Sequence, residues 1–294
     1  MPFFSVIIPV YNRFRPVREA IESVLGQAFA DFELIVVDDG STDGTPAIAD
    51  EYSDRIAYAR REHRGVSAAR NAGVAMSSGP WLAFLDSDDR WLPDKLARQA
   101  AYIGSKPAVT IHQTDEQWIR WGRPVNPRLR HLKREGDIFA DSLGLCLISP
   151  SATVLSRRCF ERYGPFDEDL PACEDYDLWL RVTAREWVGF IPEKLVVRHG
   201  GHEDQLSGRY PAMDRFRVYS IAKLLACGGP LTEEQRRHAT AAALEKTRIL
   251  MEGAIKRERS AFAENLRFLA AKIDKGTVSA ADALFLLEEN DRPS

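Results

Sequence analysis

The first hundred residues alternate between short apolar segments and segments with helical periodicity. Residues 5–9, 32–37 and 81–85 are apolar runs that are long enough for buried strands and too short for helices. A further strand is predicted near residues 56–60, and small side chains over residues 66–75 predict a helix. Strands that are apolar on both faces and alternate with helices indicate an α/β fold, with a mostly parallel sheet covered by helices on both faces.

Polar and acidic residues follow three of these predicted strands. Tyr11 follows the first strand, Asp38 and Asp39 follow the second, and the Asp86-Ser87-Asp88-Asp89 segment follows the last. Ligands of such sheets bind outside the carboxyl ends of the strands. The sequence therefore predicts a binding site at this edge of the sheet.

The three aspartates of the Asp86–Asp89 segment suit a divalent cation. Crowded carboxylates repel one another, and hard oxygen ligands favour Mg²⁺ or Mn²⁺, which often bridge to phosphates. An ordinary polar turn, with Asp89 capping the next helix, explains the same spacing equally well. The chain has neither a G-x-G-x-x-G nor a G-x-x-x-x-G-K-[ST] segment, which argues against a Rossmann dinucleotide site and a P-loop. The formal charge of -3 gives no reason to expect nucleic acid as a partner.

Five motifs carry a family resemblance. SVIIPVYN (5–12), VDDGSTD (37–43), GVSAARNAG (65–73) and FLDSDD (84–89) follow one another in the order and at the spacing of the family 2 glycosyltransferases. EDYDLWLR (174–181) resembles the later acidic motif of that family. The resemblance covers about residues 3–210. It implies a GT-A fold and an inverting transfer of a sugar from a nucleotide diphosphate donor, with a surface glycan or its lipid-linked precursor as acceptor.

The resemblance also assigns roles on the donor side. Pro9, Tyr11 and Asp39 would contact the base and the ribose, and Asp86 would lie near the ribose or the metal. Arg70 would approach the nucleotide or its phosphates. The predicted nucleotide-binding residues are Pro9, Val10, Tyr11, Asp39, Arg70 and Asp86.

Asp88 matches the family residue that ligates Mn²⁺ or Mg²⁺ between the protein and the diphosphate. The segment Arg198-His199-Gly200-Gly201-His202 could supply a third ligand through a neutral imidazole. The sequence does not choose between His199 and His202, and a surface turn is the ordinary alternative.

Asp175 matches the general base of the family. An inverting transfer needs a carboxylate that removes the proton of the acceptor hydroxyl, away from the metal. The alternative is a carboxylate stabilised by a helix N-terminus, which Glu174 and Asp177 fit better.

Residues 118–134 contain six Lys and Arg side chains and no acidic residue. This segment could hold an anionic acceptor, a lipid-linked pyrophosphate or an acidic membrane surface. A solvated charged face is the interpretation that the sequence favours.

The predicted domains are residues 1–210, with the GT-A sites, and residues 211–294, a helical region that could cover the acceptor or form a homodimer. Four cysteines without metal-like spacing suit a cytoplasmic protein, peripheral to a membrane if the basic segment binds lipid. The first apolar run is expected to be a strand and not a signal peptide. Two alternative functions stay open, a silent nucleotide-sugar binding or scaffold subunit and a sugar nucleotidyltransferase.

Overall fold

The computed structural model describes residues 1–126, 129–201, 210, 212–227 and 231–288. Its contacts divide the chain into two compact units. As far as these residues are described, the first unit contains 1–137, 147–168 and 186–203, and the second contains 138–146, 169–185 and 204–294. The domain boundary after residue 210 stays a prediction.

The described strands all belong to the first unit and form one sheet. In chain order they are β1 (Phe4–Val10), β2 (Phe32–Asp38), β3 (Ala57–Arg60), β4 (Trp81–Phe84), β5 (Arg90–Trp91), β6 (Ile111–Arg120), β7 (Arg123–Val125), β8 (Thr153–Ser156) and β9 (Val188–Gly200). Their order across the sheet is β3-β2-β1-β4-β8-β6-β9-β5, and β7 pairs with β6. Strands β3, β2, β1 and β4 are parallel to one another, as are β6 and β9. Strand β8 is antiparallel to β4 and β6, and β5 is antiparallel to β9.

Both faces of the parallel half are covered, because alternate side chains of a strand point to opposite faces. The helices of the first unit are α1 (Phe14–Leu25), α2 (Ile48–Glu51), α3 (Val66–Met76), α4 (Lys95–Ser105) and α6 (Arg157–Tyr163). On one face, Val6 and Ile8 join a core cluster with Val17 of α1. On the other face α3 lies so close to β1 that a Cβ on Gly73 would come within 2.4 Å of Ile7. The predicted α/β architecture is therefore confirmed.

Two segments in the later part of the first unit differ from what their sequence indicates. Residues 187–197 resemble a strand, a turn and a second strand, but β9 is one continuous strand whose register against β6 shifts between Ile191 and Val196. Pro192 lies in this irregular stretch and has no N–H for the ladder, so the sequence resembles a turn there. Residues 149–155 resemble a single strand, but the strand begins only at Thr153, after a 3₁₀ turn over Pro150–Ala152.

The described part of the second unit is helical. Its helices are α5 (Phe139–Ser142), α7 (Glu174–Thr183), α8 (Asp214–Ala226), α9 (Glu233–Lys256) and α10 (Ser260–Asp274), followed by a 3₁₀ helix over Ala280–Leu286. Helix α9 begins with a capping box of Thr232 and Gln235, and the 3₁₀ helix begins with the predicted box of Ser279 and Asp282. None of the described helices is long and apolar enough to cross a membrane. The segment Gly228-Gly229-Pro230, whose composition is typical of a boundary between elements, lies outside the described residues.

Candidate functional site in the first unit and a carboxylate in the second

The carboxyl ends of the parallel strands meet, as the sequence predicted. Val10 lies opposite Asp38 in the register of β1 and β2, and the N–H of Asp39 donates to the carbonyl of Val10 at 2.9 Å. The side chains of Pro9 and Val10 are buried within the sheet, whereas Tyr11 is 39% exposed directly after it. Of these three predicted residues, Tyr11 therefore offers a side chain to a ligand.

The two aspartates after β2 organise the loops around this edge. Asp38 accepts the N–H of Ser41 at 2.8 Å and the hydroxyl of Tyr58 at 2.7 Å, so its role is to close the turn. The buried carboxylate of Asp39 accepts the N–H of Arg64 at 3.1 Å and that of Gly65 at 2.7 Å. Asp39 thus fixes the segment that leads into α3.

His63 lies beside two of the predicted nucleotide-binding residues, Tyr11 and Asp39, although it belongs to none of the five motifs. Its ring stacks on Tyr11 with 4.0 Å between the ring centroids and an angle of 20° between the planes. Its Nδ1 lies 2.8 Å from the carboxylate of Asp39. A flat, partly exposed aromatic pair beside a carboxylate suits a planar heterocycle. The only signal in the sequence is the position of His63, just before the motif that begins at Gly65.

Each of the two candidate carboxylates after β4 meets an arginine. Arg70 of α3 donates to Asp86 with 2.7 Å between Nη2 and Oδ1. Arg13, which immediately precedes α1, forms an ion pair with Asp88. The side chains of Asp86 and Asp88 are 24% and 19% exposed, so both can be reached from solvent. Arg70 belongs to the third motif and was predicted, whereas Arg13 follows the first motif directly and lies outside it.

His199 supports the main chain of the acidic turn. Its Nδ1 lies 2.9 Å from the carbonyl oxygen of Asp88, and its Nε2 lies 3.3 Å from Nη2 of Arg90. Because a guanidinium only donates, Nε2 accepts and the proton is on Nδ1. A metal at His199 would have to displace one of these two contacts. His202 lies outside the described residues, and both histidines stay predictions as metal ligands.

Asp89 is held behind the turn by buried partners. Its carboxylate accepts the N–H of His199 at 3.0 Å and the hydroxyl of Ser151 at 2.7 Å, and Nε of Arg198 lies 3.4 Å away. Burial raises the pKa of Asp89, which Arg198 opposes and Asp88 reinforces. Asp89 is thus turned into the protein and supports the loop instead of facing a ligand.

Glu116 on β6 is the centre of a buried charge network that continues from Arg198. Its carboxylate lies 2.9 Å from Nζ of Lys133, accepts the hydroxyl of Ser149 at 2.6 Å and lies 3.7 Å from Arg198. Burial raises the pKa of Glu116, but Lys133, Arg198 and the hydrogen bonds together lower it to about 2. Lys133, one of the six cations of residues 118–134, is therefore directed inward.

We expect Glu116→Gln to destabilise the protein by about 3 kcal/mol, because it leaves the buried Lys133 without its carboxylate partner. Since the folded pKa of Glu116 lies below its ordinary value, its stabilising effect is complete above pH ~4.5 and declines as the pH falls toward 2. Urea unfolding at neutral pH measures the change. Glu135→Gln, which removes a surface pair with Lys106, is the control and should change stability by less than about 1 kcal/mol. Equal stabilities of the two variants would contradict this account of the network.

In the second unit, Asp175 and its neighbours have different surroundings. Asp175 lies half-exposed in the first turn of α7, where Oδ1 accepts the N–H of Tyr176 at 2.7 Å and Oδ2 lies 3.5 Å from the thiol of Cys146. It forms no ion pair with any described residue. Asp177 is buried and pairs with Lys223 at 2.6 Å and Arg181 at 2.9 Å. Asp177 is therefore structural, whereas Asp175 keeps an accessible carboxylate.

The residues at the acidic turn fit a divalent cation that would take the rest of its ligands from a diphosphate and water. Within the described ranges, no three His, Cys, Asp or Glu side chains come together in a way that could hold a metal unaided. Mg²⁺, however, often takes only one or two carboxylates from a protein and completes its shell with phosphate oxygens and water. Asp88 already forms an ion pair with Arg13, so a positive charge is stabilised next to this carboxylate.

Comparisons of sequence relate the chain to glycosyltransferases. The sequence model of the family described as Glycosyl transferase family 2 matches residues 5–164, more than half of the chain. An uncharacterized glycosyltransferase of Rickettsia prowazekii is 34% identical over 200 residues, which is 66% of this chain and 63% of that protein. A putative teichuronic acid biosynthesis glycosyltransferase of Bacillus subtilis is 39% identical over 107 residues, 35% of this chain and 42% of that protein. This chain thus spans less than two thirds of the length of these relatives.

Comparisons of structure show the same fold in solved proteins. The structure of TarS of S. aureus in complex with UDP-GlcNAc matches with a TM-score of 0.64 at 19% identity, covering 98% of this chain and 90% of that one. A mannosyltransferase of Pyrobaculum calidifontis, in complex with GDP-Man and Mn²⁺, matches with a TM-score of 0.59 at 19% identity, covering 97% and 86%.

Proposed function

This chain belongs to glycosyl transferase family 2 and has the GT-A fold, and we propose that it transfers a sugar from a nucleoside diphosphate donor to a hydroxyl group of a glycan or lipid-linked acceptor. One observation carries the proposal. Tyr11, His63, Asp86 and Asp88 converge at the carboxyl edge of parallel strands, so an aromatic platform and accessible carboxylates lie at one end of the sheet. This is the combination that a nucleotide with a charged diphosphate requires.

The nucleoside is proposed to bind at the Tyr11 side of this edge. The stacked rings of Tyr11 and His63 offer a flat surface to the base or the ribose, and Pro9 and Val10 form the floor through their main chain. Asp39 already accepts the N–H groups of Arg64 and Gly65 and lies 2.8 Å from Nδ1 of His63, but a carboxylate has about four lone-pair sites and can accept a further hydrogen bond from the ligand. UDP-GlcNAc in TarS and GDP-Man in the archaeal mannosyltransferase support a nucleotide sugar as donor.

The diphosphate is proposed to bind at the acidic turn. Asp88, with Asp86 beside it, would hold Mn²⁺ or Mg²⁺, and such an ion neutralises the charge that develops on the leaving nucleoside diphosphate. Arg70 holds Asp86 in place, and His199 and Asp89 fix the main chain that carries Asp88. The preformed turn therefore keeps the carboxylates in position before any ligand arrives.

Asp175 is proposed as the general base. Removing the proton of the acceptor hydroxyl while its oxygen attacks the anomeric carbon requires a carboxylate that is ionised and accessible. Asp175 is half-exposed and forms no ion pair with any described residue, whereas Asp177 is buried between Lys223 and Arg181. A single displacement of this kind inverts the anomeric centre. The acceptor, a homodimer and a cytoplasmic location stay predictions, and the Bacillus relative named for teichuronic acid synthesis supports a surface polysaccharide.

A thermal-shift panel with UDP, GDP, CDP and dTDP, each with Mn²⁺ and with EDTA, tests the donor assignment. We expect one nucleotide with Mn²⁺ to raise the melting temperature by about 5 °C or more at saturating concentration. The matching nucleotide sugars are then assayed for turnover with lipid-linked and soluble acceptors. A protein that no nucleotide stabilises is not the transferase proposed here, and stabilisation without any donor consumption would instead favour a binding subunit.

A further inference from the structure

The β6–β7 hairpin ends in an exposed tryptophan whose backbone is strained. Arg120 and Arg123 lie opposite each other in the hairpin, and Trp121 and Gly122 form the two-residue turn between them with φ angles of 48° and 72°. Such turns favour Asn, Asp or Gly, and a bulky side chain with a positive φ is unfavourable. Trp121 is nevertheless 81% exposed. Because the side chain of Trp121 does not pack in the core, its strained backbone conformation points to a functional contact.

More apolar side chains are exposed in the chain that follows this turn. Leu129 is 86% exposed, and Val125 and Leu132 are also exposed. Isolated surface leucines are common, but an exposed Trp, Val and two Leu within residues 121–132 form an unusual concentration. We call Arg120, Trp121, Arg123, Val125, Leu129 and Leu132 the hairpin surface.

The charge of the hairpin surface is of one sign. No acidic residue occurs in residues 118–134, although the whole chain carries a formal charge of -3. Arg120 and Arg123 share one face of the hairpin, because directly opposed residues of an antiparallel pair point to the same side. Lys133 pairs with Glu116 in the interior. Arg120 and Arg123 are exposed next to Trp121, so the described charge of the hairpin itself is positive.

We propose that the hairpin surface docks on an anionic lipid membrane. Trp and Leu side chains enter the boundary between headgroups and acyl chains, and flanking Arg side chains bind the acidic headgroups. A soluble anionic glycan would account for the arginines but not for the exposed leucines. Charge and apolar exposure together therefore favour a lipid surface, which would also bring the protein close to a lipid-linked acceptor.

Vesicle flotation without nucleotide tests this proposal independently of the transfer reaction. We expect the full chain to bind vesicles of phosphatidylcholine with roughly one third phosphatidylglycerol, to ignore pure phosphatidylcholine vesicles, and to lose binding as the salt concentration rises. Trp121→Ser combined with Leu129→Ser should weaken binding by about tenfold or more, and Arg120→Glu combined with Arg123→Glu should abolish it.

Matched controls come from the second unit. Phe268→Ser removes an exposed aromatic ring of α10, and Arg237→Glu combined with Lys256→Glu makes the same charge change on exposed positions of α9. Both should bind vesicles as the wild type does, and melting curves establish that all variants are folded. The proposal is overturned if the wild type does not bind anionic vesicles. It is also overturned if the Trp121 and Leu129 variant binds anionic vesicles as tightly as the wild type does.

Discussion

Replacing Asp175 with Asn should lower the rate of sugar transfer by about a thousandfold while nucleotide affinity stays within a few-fold. The amide keeps the size and most hydrogen bonds of the carboxylate but cannot take the proton of the acceptor hydroxyl. The contacts described for Asp175 are with Tyr176 and Cys146 and not with a predicted donor residue, so we expect the substitution to leave the nucleotide contacts intact. Transfer assays and calorimetry with the donor nucleotide measure the two quantities separately.

Asp177→Asn is the matched control, two residues further along the same helix. Asp177 is buried between Lys223 and Arg181, so its loss should destabilise the fold by about 3 kcal/mol. The folded fraction of this variant should retain transfer activity. Asp175→Asn should therefore lower the transfer rate strongly with little loss of stability. Asp177→Asn should lower the stability strongly with little loss of transfer activity in the folded fraction. Full activity of Asp175→Asn would remove Asp175 as the base.

The parallel half of the sheet could be predicted because its signals are local. β1, β2 and β4 are apolar runs that are buried almost completely, and polar residues follow each of them directly. Burial on both faces leaves no alternation to detect, so length and flanking residues identify these strands. The family motifs coincide with the strand ends, which is why the edge that carries the candidate site could be predicted as well.

Strand β6 could not be predicted, because its buried residues are polar. His112, Gln113 and Thr114 are fully buried in the sheet, and Glu116 is buried by the ion pair with Lys133. A hydrophobic pattern cannot identify a strand whose interior side chains are an imidazole, an amide and a hydroxyl. For the same reason, the β6–β7 hairpin with its exposed Trp121 could not be predicted.

The contacts that the site residues make with distant parts of the chain could not be predicted from the sequence either. Arg13 lies far from Asp88 in the chain and His63 far from Tyr11, so neither contact leaves a spacing that could be recognised. Asp175 and Asp177 have the same chemistry and differ in burial and in the described cations that pair with them. Residue type and motif position therefore predict what chemistry a site can perform, and tertiary contacts decide which of several equivalent side chains is available for it.

Asp88→Asn should weaken Mn²⁺-dependent binding of the donor nucleotide by about a hundredfold, because the amide lacks the charge that holds a divalent cation against the diphosphate. Calorimetry with Mn²⁺ and with EDTA measures this effect, and binding in EDTA should change little. Asp94→Asn, at an exposed position just before α4, is the control and should bind as the wild type does. Equal affinities of wild type and Asp88→Asn in Mn²⁺ would exclude Asp88 as the metal residue.

Removing Arg13 should change the affinity for Mn²⁺ in the direction opposite to Asp88→Asn. Because Arg13 pairs with Asp88, a divalent cation must compete with this guanidinium for the carboxylate. Arg13→Ala should therefore bind Mn²⁺ alone about tenfold more tightly than the wild type, and bind inorganic pyrophosphate more weakly, because a cation near the diphosphate is lost. Arg15→Ala, exposed two residues further along, should change neither affinity. If Arg13→Ala instead weakened Mn²⁺ binding as Asp88→Asn does, Arg13 would support the metal site and would not compete with the cation for the Asp88 carboxylate.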